Sequence, residues 1–105
     1  MNESETRADL LKHGYKEIEH FNEIRAGVRV RNRGEQYPEA LDNGTATVLA
    51  VLRNEGSSWE RTYGNPDVEV IVKRDDGSIG QWANYGTRLA YGESFVSAAP
   101  EGSGK

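Results

Sequence analysis

The sequence predicts a mainly β domain, a small barrel of about five strands behind a short N-terminal helical segment. Three observations carry that expectation. Apolar and polar residues alternate from Val28 onward, the period of a half-buried strand. Asn43-Gly44 and Asp75-Asp76-Gly77 punctuate the same region with tight-turn chemistry. The chain has 105 residues, which suits one domain around one core.

The elements follow in chain order. Residues 4–13 read as a helix: Ser4 can cap its start, Glu5 sits at the positive end of the dipole, Ala8, Leu10 and Leu11 supply apolar area, and Gly14 can end it. In residues 15–24 the apolar positions Tyr15, Ile18, Phe21 and Ile24 recur every three, a stripe that drifts around a helix. We read one or two further helical turns there, then an extended approach to the first strand. Val28 and Val30 alternate with Arg29 and Arg31 as a strand. Residues 32–44 are rich in turn formers and read as a long loop. Residues 45–53 form the longest strand, with Ala46, Val48, Ala50 and Leu52 on one face and Thr47, Leu49 and Val51 on the other, the pattern of a central strand. A second long loop, residues 54–67, holds Trp59, Tyr63 and Pro66. Val68, Val70 and Val72 then alternate inward, and the chain turns at Asp-Gly. Residues 78–85 return as the partner strand, with Trp82 opposite Ile79, Gln81, Ala83 and Tyr85. Leu89 drops onto the core, and Phe95 and Val96 make a short edge strand. In domain terms, residues 1–23 are the helical segment, 24–96 the barrel and 97–105 a flexible tail of linker composition.

Composition narrows the function. Hydrophobic residues make up 35% and charged residues 29%, too many core formers for wholesale disorder. The absence of cysteine removes disulfides, thiol nucleophiles and thiolate zinc sites, and favours a cytoplasmic setting. No apolar run approaches the roughly 20 residues of a membrane helix, and the acidic, polar start lacks the basic and apolar regions of a signal peptide. The net charge of −4 is unremarkable for a soluble protein, but its distribution is uneven. Residues 1–24 hold six acids against three bases, whereas residues 25–34 hold four arginines and no acid.

Gly27-Val28-Arg29-Val30, a loop, and then Gly44-Thr45-Ala46-Thr47-Val48 resemble the opening of SH3-like barrels of the KOW and Mind-bomb/HERC type. Val68-Glu69-Val70-Ile71-Val72-Lys73-Arg74-Asp75-Asp76-Gly77-Ser78 resembles their later hairpin. Trp82, Tyr85 and Leu89 stand where those domains place an aromatic strand and a closing leucine. The likeness covers residues 24–90. The 14-residue loop at 54–67 and the N-terminal helix are additions to that pattern. The resemblance implies binding of a peptide, a modified side chain or a nucleic acid. The compact, arginine-rich style also resembles small phage-encoded proteins.

Two constellations bear on binding. Tyr37, Trp59, Tyr63, Trp82 and Tyr85 fall on loops or the late hairpin, where aromatics can anchor a protein partner, cage a cation or stack on bases. Trp82 and Tyr85 serve equally well as caps of the core, whereas Trp59 and Tyr63 lie in a polar loop where aromatics need a reason. Arg29, Arg31 and Arg33 alternate on one strand face behind Arg25 and can contact phosphates. The same stripe on an edge strand would instead block edge-to-edge pairing. His13 and His20 match no ligand spacing, so no metal or cofactor is expected. Asp75 and Asp76 are explained by their turn, and the sequence contains no phosphate loop and no nucleophile elbow. The reading is therefore a non-catalytic module that binds a protein partner through the 54–67 loop, with nucleic-acid binding through the arginines as the alternative.

Overall fold

A computed structural model describes residues 2–32, 44–83 and 87–89 of the chain. Helix α1 spans Glu3–Lys12. Its cap is Asn2 and not Ser4: Asn2 Oδ1 accepts from the Glu5 N–H at 2.8 Å, and Glu5 Oε1 accepts from the Asn2 N–H at 2.9 Å. This reciprocal pair satisfies two donors that a helix start leaves open. The helix ends where expected. Gly14 has φ +98°, and the N–H groups of Tyr15 and Gly14 donate to Leu10 and Leu11 carbonyls at 3.0 and 3.1 Å. That is the double closure a left-handed residue permits after a helix. A side chain at Gly14 would also meet the Asn54 amide at 3.3 Å.

The helical turns expected over residues 15–24 are replaced by strands. β1 is Lys16–Ile18, β2 His20–Phe21 and β3 Ile24–Arg25. Asn22, at φ +55°, turns β2 back onto β3, a conformation asparagine tolerates. The physical reason for the difference is long-range pairing. β1 is too short to stand alone but lies antiparallel against β5 (Gly44–Arg53), from Lys16 opposite Arg53 to Ile18 opposite Val51. The stripe spaced by three serves the core directly, since Ile24 is fully buried with Ile18 and Phe21 packed beside it.

The remaining elements are β4 (Arg29–Asn32), α2 (Ser58–Tyr63), β6 (Val68–Arg74), β7 (Ile79–Ala83) and β8 (Thr87–Leu89). The main sheet runs β7-β6-β5-β4-β8 with every neighbouring pair antiparallel. β4 and β1 share one edge of β5, β4 on its first half and β1 on its last residues, while β6 takes the other edge. Among the described residues no pairing joins β7 to β8, so the described strands form an open path. β4 lies between β5 and β8 and is not an edge strand. The expected strand at Phe95 and Val96 and the tail lie outside the described residues.

A single bulge decides which side chains share the core. Val48 pairs with Val72, but Ala50 pairs with Ile71, so the register shifts at Leu49. An inserted residue reverses the facing of everything beyond it. Ala46 and Val48 therefore share a cluster with Val51, together with Ile24, Val30, Val68, Val70, Val72 and Trp82. Ala50 and Leu52, expected beside Ala46 and Val48, face the opposite side with Ile71, under Leu10 of α1. The sheet thus buries both faces near its centre, one in the main core and one beneath the helix.

The β6–β7 turn forms as the sequence indicates. Gly77 has φ +93°, Arg74 and Ser78 close the hairpin at 2.7 Å, and Asp76 Oδ1 accepts from the Ser78 N–H at 2.9 Å. No helix among the described residues is long and apolar enough to cross a membrane.

Candidate functional site

The 54–67 connection is longer than a hairpin needs, and its middle is helical. Ser57 caps α2 by accepting from the Glu60 N–H at 3.1 Å, and Gly64, at φ +73°, ends it. One carboxylate ties the connection together. Glu60 accepts from Arg53 Nε at 2.9 Å, from the Gly56 N–H at 3.0 Å and from the Asp67 N–H at 2.8 Å. It therefore bridges the end of β5, the start of the connection and its return to β6. These donors, the Arg53 guanidinium foremost, hold the Glu60 carboxyl down at about 2, the expected response to a carboxylate bonded in its charged form.

The clamp fixes two aromatic rings. Trp59 and Tyr63 stand one helical turn apart with ring centroids 5.2 Å apart and planes tilted by 48°, a separation within the range at which aromatic pairs attract. Trp59 is half-buried, whereas Tyr63 is 63% exposed. Beneath Trp59 lies a depression of about 200 Å³ lined by Tyr15, Trp59, Pro66, Asp67, Val68, Glu69 and Ala83. The Tyr15 hydroxyl donates to Asp67 Oδ1 at 2.6 Å. Burial first, and then that bond, push the Tyr15 phenol well above its ordinary range. Gln81 Nε2 donates to Glu69 Oε1 at 3.1 Å. Burial also raises the Glu69 carboxyl, and the nearby Asp67 charge adds to the shift. Among the described residues neither Asp67 nor Glu69 forms an ion pair.

Of the aromatics singled out by sequence, Trp59 and Tyr63 share this site. Trp82 does not: it is 3% exposed in the main core, because strand alternation on β7 turns it to the face opposite Gln81, beside Val70. It takes the core-capping place that the sequence also allowed it. Tyr37 and Tyr85 lie outside the described residues. Sequence reasoning missed Tyr15, Asp67 and Glu69. The one available signal was Glu69, an acid inside an otherwise valine-rich strand.

The arginine stripe is divided. Arg29 and Arg31 share a face of β4, with Val30 buried between them. Arg29 grips Asp75 with two bonds, of 2.8 and 3.0 Å, and donates to Thr47 and Thr45 at 3.0 Å each. Arg31 is exposed, Arg25 sits on the separate β2–β3 ribbon opposite His20, and Arg33 lies outside the described residues. His13 and His20 are both exposed, and among the described residues no three His, Asp or Glu side chains gather as a metal would require.

The fold and site together define a small mainly β domain that carries an aromatic and acidic surface pocket where β5 ends and β6 begins. Comparisons with family models, curated proteins and solved structures find no match to this chain.

Proposed function

We propose that this chain is a non-catalytic protein-interaction module that seizes one partner protein through Trp59 and Tyr63, on a scaffold of the small SH3-like barrel type. The observation that carries the reading is the exposed Tyr63 packed against Trp59, 5.2 Å between ring centroids, on a helix tied to both flanking strands through Glu60. A large aromatic surface costs little entropy to dock when its scaffold is already ordered, and tyrosine and tryptophan are favoured anchors of interfaces. The cysteine-free composition fits a cytoplasmic setting.

The test is selection from a displayed peptide library followed by calorimetry of the selected peptides. Tyr63→Ala, which removes an exposed ring and leaves the core intact, is expected to weaken them by roughly tenfold or more. Unchanged affinity would show that the peptides bind elsewhere. Nucleic-acid binding through Arg25, Arg29, Arg31 and Arg33 has less support, because the Arg29 guanidinium is engaged by Asp75. Oligonucleotide titration at low salt, where phosphate contacts are strongest, checks it directly.

A further inference from the structure

The depression beside Trp59 has a chemistry that neither apolar anchoring nor the fold requires. Its walls are two aromatic rings, Tyr15 and Trp59, with Pro66 and Ala83, and two carboxylates, Asp67 and Glu69, line it as well. Both carboxylates have one oxygen engaged by a neutral donor, the Tyr15 hydroxyl at 2.6 Å and the Gln81 amide at 3.1 Å. Neither is matched by a cation among the described residues. The two acids stand close enough for the Asp67 charge to oppose ionisation of Glu69. A half-buried pair of like charges with no counter-ion is costly, and a positive group placed between them relieves the cost. Arg53, at the same end of the sheet, is held by Glu60 at 2.9 Å and does not supply that group. Aromatic faces also attract cations through their ring quadrupoles, most strongly where water is excluded. At about 200 Å³ the space falls below the roughly 300–1,000 Å³ of pockets that enclose a whole small molecule. It suits the end of one side chain.

We infer that this pocket receives the alkylammonium head of a lysine side chain of the partner, with Trp59 and Tyr15 flanking the cation and Asp67 and Glu69 neutralising it. The inference rests on the reading that this face meets a protein partner. It adds the chemistry of the residue recognised. The positions of the four groups are fixed from three directions: Tyr15 by the turn that ends α1, Trp59 by the Glu60-clamped α2, and the two acids by the start of β6.

The experiment is a chemical-shift titration of the isotopically labelled full chain with three blocked amino acids: N-acetyl-lysine methylamide, its Nε-trimethylated form and N-acetyl-norleucine methylamide. The last keeps the apolar stem and lacks the charge. Both cationic probes are expected to shift the Asp67, Glu69 and Ala83 amides and the Trp59 indole, and to bind roughly three- to tenfold more tightly than norleucine. A stronger response to the trimethylated probe assigns the site to the methylated form, and a stronger response to lysine assigns it to the free ammonium. Asp67→Asn with Glu69→Gln keeps the Tyr15 and Gln81 partners in place and is expected to abolish the preference for charge. Equal binding of norleucine and lysine, or no response from any probe, overturns the inference. The two readings fail separately. Peptides lost to Tyr63→Ala but indifferent to lysine overturn the cation pocket alone. Cationic probes entering the pocket while Tyr63→Ala leaves peptide affinity unchanged overturn the Tyr63 anchor alone.

Discussion

The docking of α1 can be tested with two neighbouring leucines. Leu10 is 3% exposed and packs on Ala50, Leu52 and Ile71, whereas Leu11 is 48% exposed. Leu10→Ala removes three carbons from a buried site, roughly 2 kcal/mol of transfer free energy. The cavity left against a sheet that cannot collapse brings the total to about 3 kcal/mol, inside the range of about 2–5 kcal/mol found for such truncations. For a domain of this size that lowers the melting temperature by roughly 10–20 °C. Leu11→Ala, on the same helix and with the same loss of helix-forming side chain, is expected to change stability by no more than about 0.5 kcal/mol. Urea unfolding followed by tryptophan fluorescence reads both, and the midpoint is expected to move without a change of slope. A Leu10→Ala cost below about 1 kcal/mol, or equal costs for the two leucines, would refute the claim that α1 is an integral layer over the sheet.

The Glu60 clamp makes stability acid-sensitive in a defined window. Its carboxyl is depressed from 4.5 to about 2, so its contribution is fully present above pH 4.5 and is lost as the pH falls toward 2. Carbon-detected titration of the Glu60 carboxyl checks the shift, and a midpoint at 4.5 contradicts the clamp. Glu60→Ala is expected to speed amide exchange at Gly56 and Asp67, whose N–H groups lose their acceptor. A methyl group at Gly80 would stand 2.7 Å from Arg74 Nη2, in a guanidinium pinned to the Ile79 carbonyl at 2.7 Å and to Ser78 Oγ at 3.1 Å. Gly80→Ala is therefore expected to cost about 1–2 kcal/mol. Arg74→Met should recover part of that loss in a double-mutant cycle, and strict additivity of the two changes would contradict the contact.

What the sequence revealed, and what it hid, follows from the range of the interactions. The helix stop at Gly14, the inward valines of β6 and the Asp75-Asp76-Gly77 turn are governed by neighbours a few residues away, so their local chemistry announces them. The cap was misplaced by two residues because Asn2 and Ser4 are both good cap formers. Only the pairing of Asn2 with Glu5 three positions on decides between them. β1 was unreadable as a strand, since its three residues become one only by meeting Arg53, Leu52 and Val51. The Leu49 bulge is likewise a property of the β5–β6 register, and no residue of β5 advertises it. The site divides in the same way. Trp59 and Tyr63 stood out as aromatics in a polar connection, four positions apart. Tyr15 and Asp67, joined through a hydrogen bond across 52 positions, become neighbours only after the sheet has assembled. Trp82 resembled the loop aromatics in composition alone, and its strand alternation puts it in the core.

The most direct test of the binding account is chemical-shift mapping of the labelled chain with a library-selected peptide. Shifts are expected to concentrate on residues 57–69 and on Tyr15, while the amides of Arg29–Asn32 stay in place. Shifts centred on Arg25 and Arg29–Asn32, with residues 57–69 unmoved, would contradict it and move the binding face to the arginine strand.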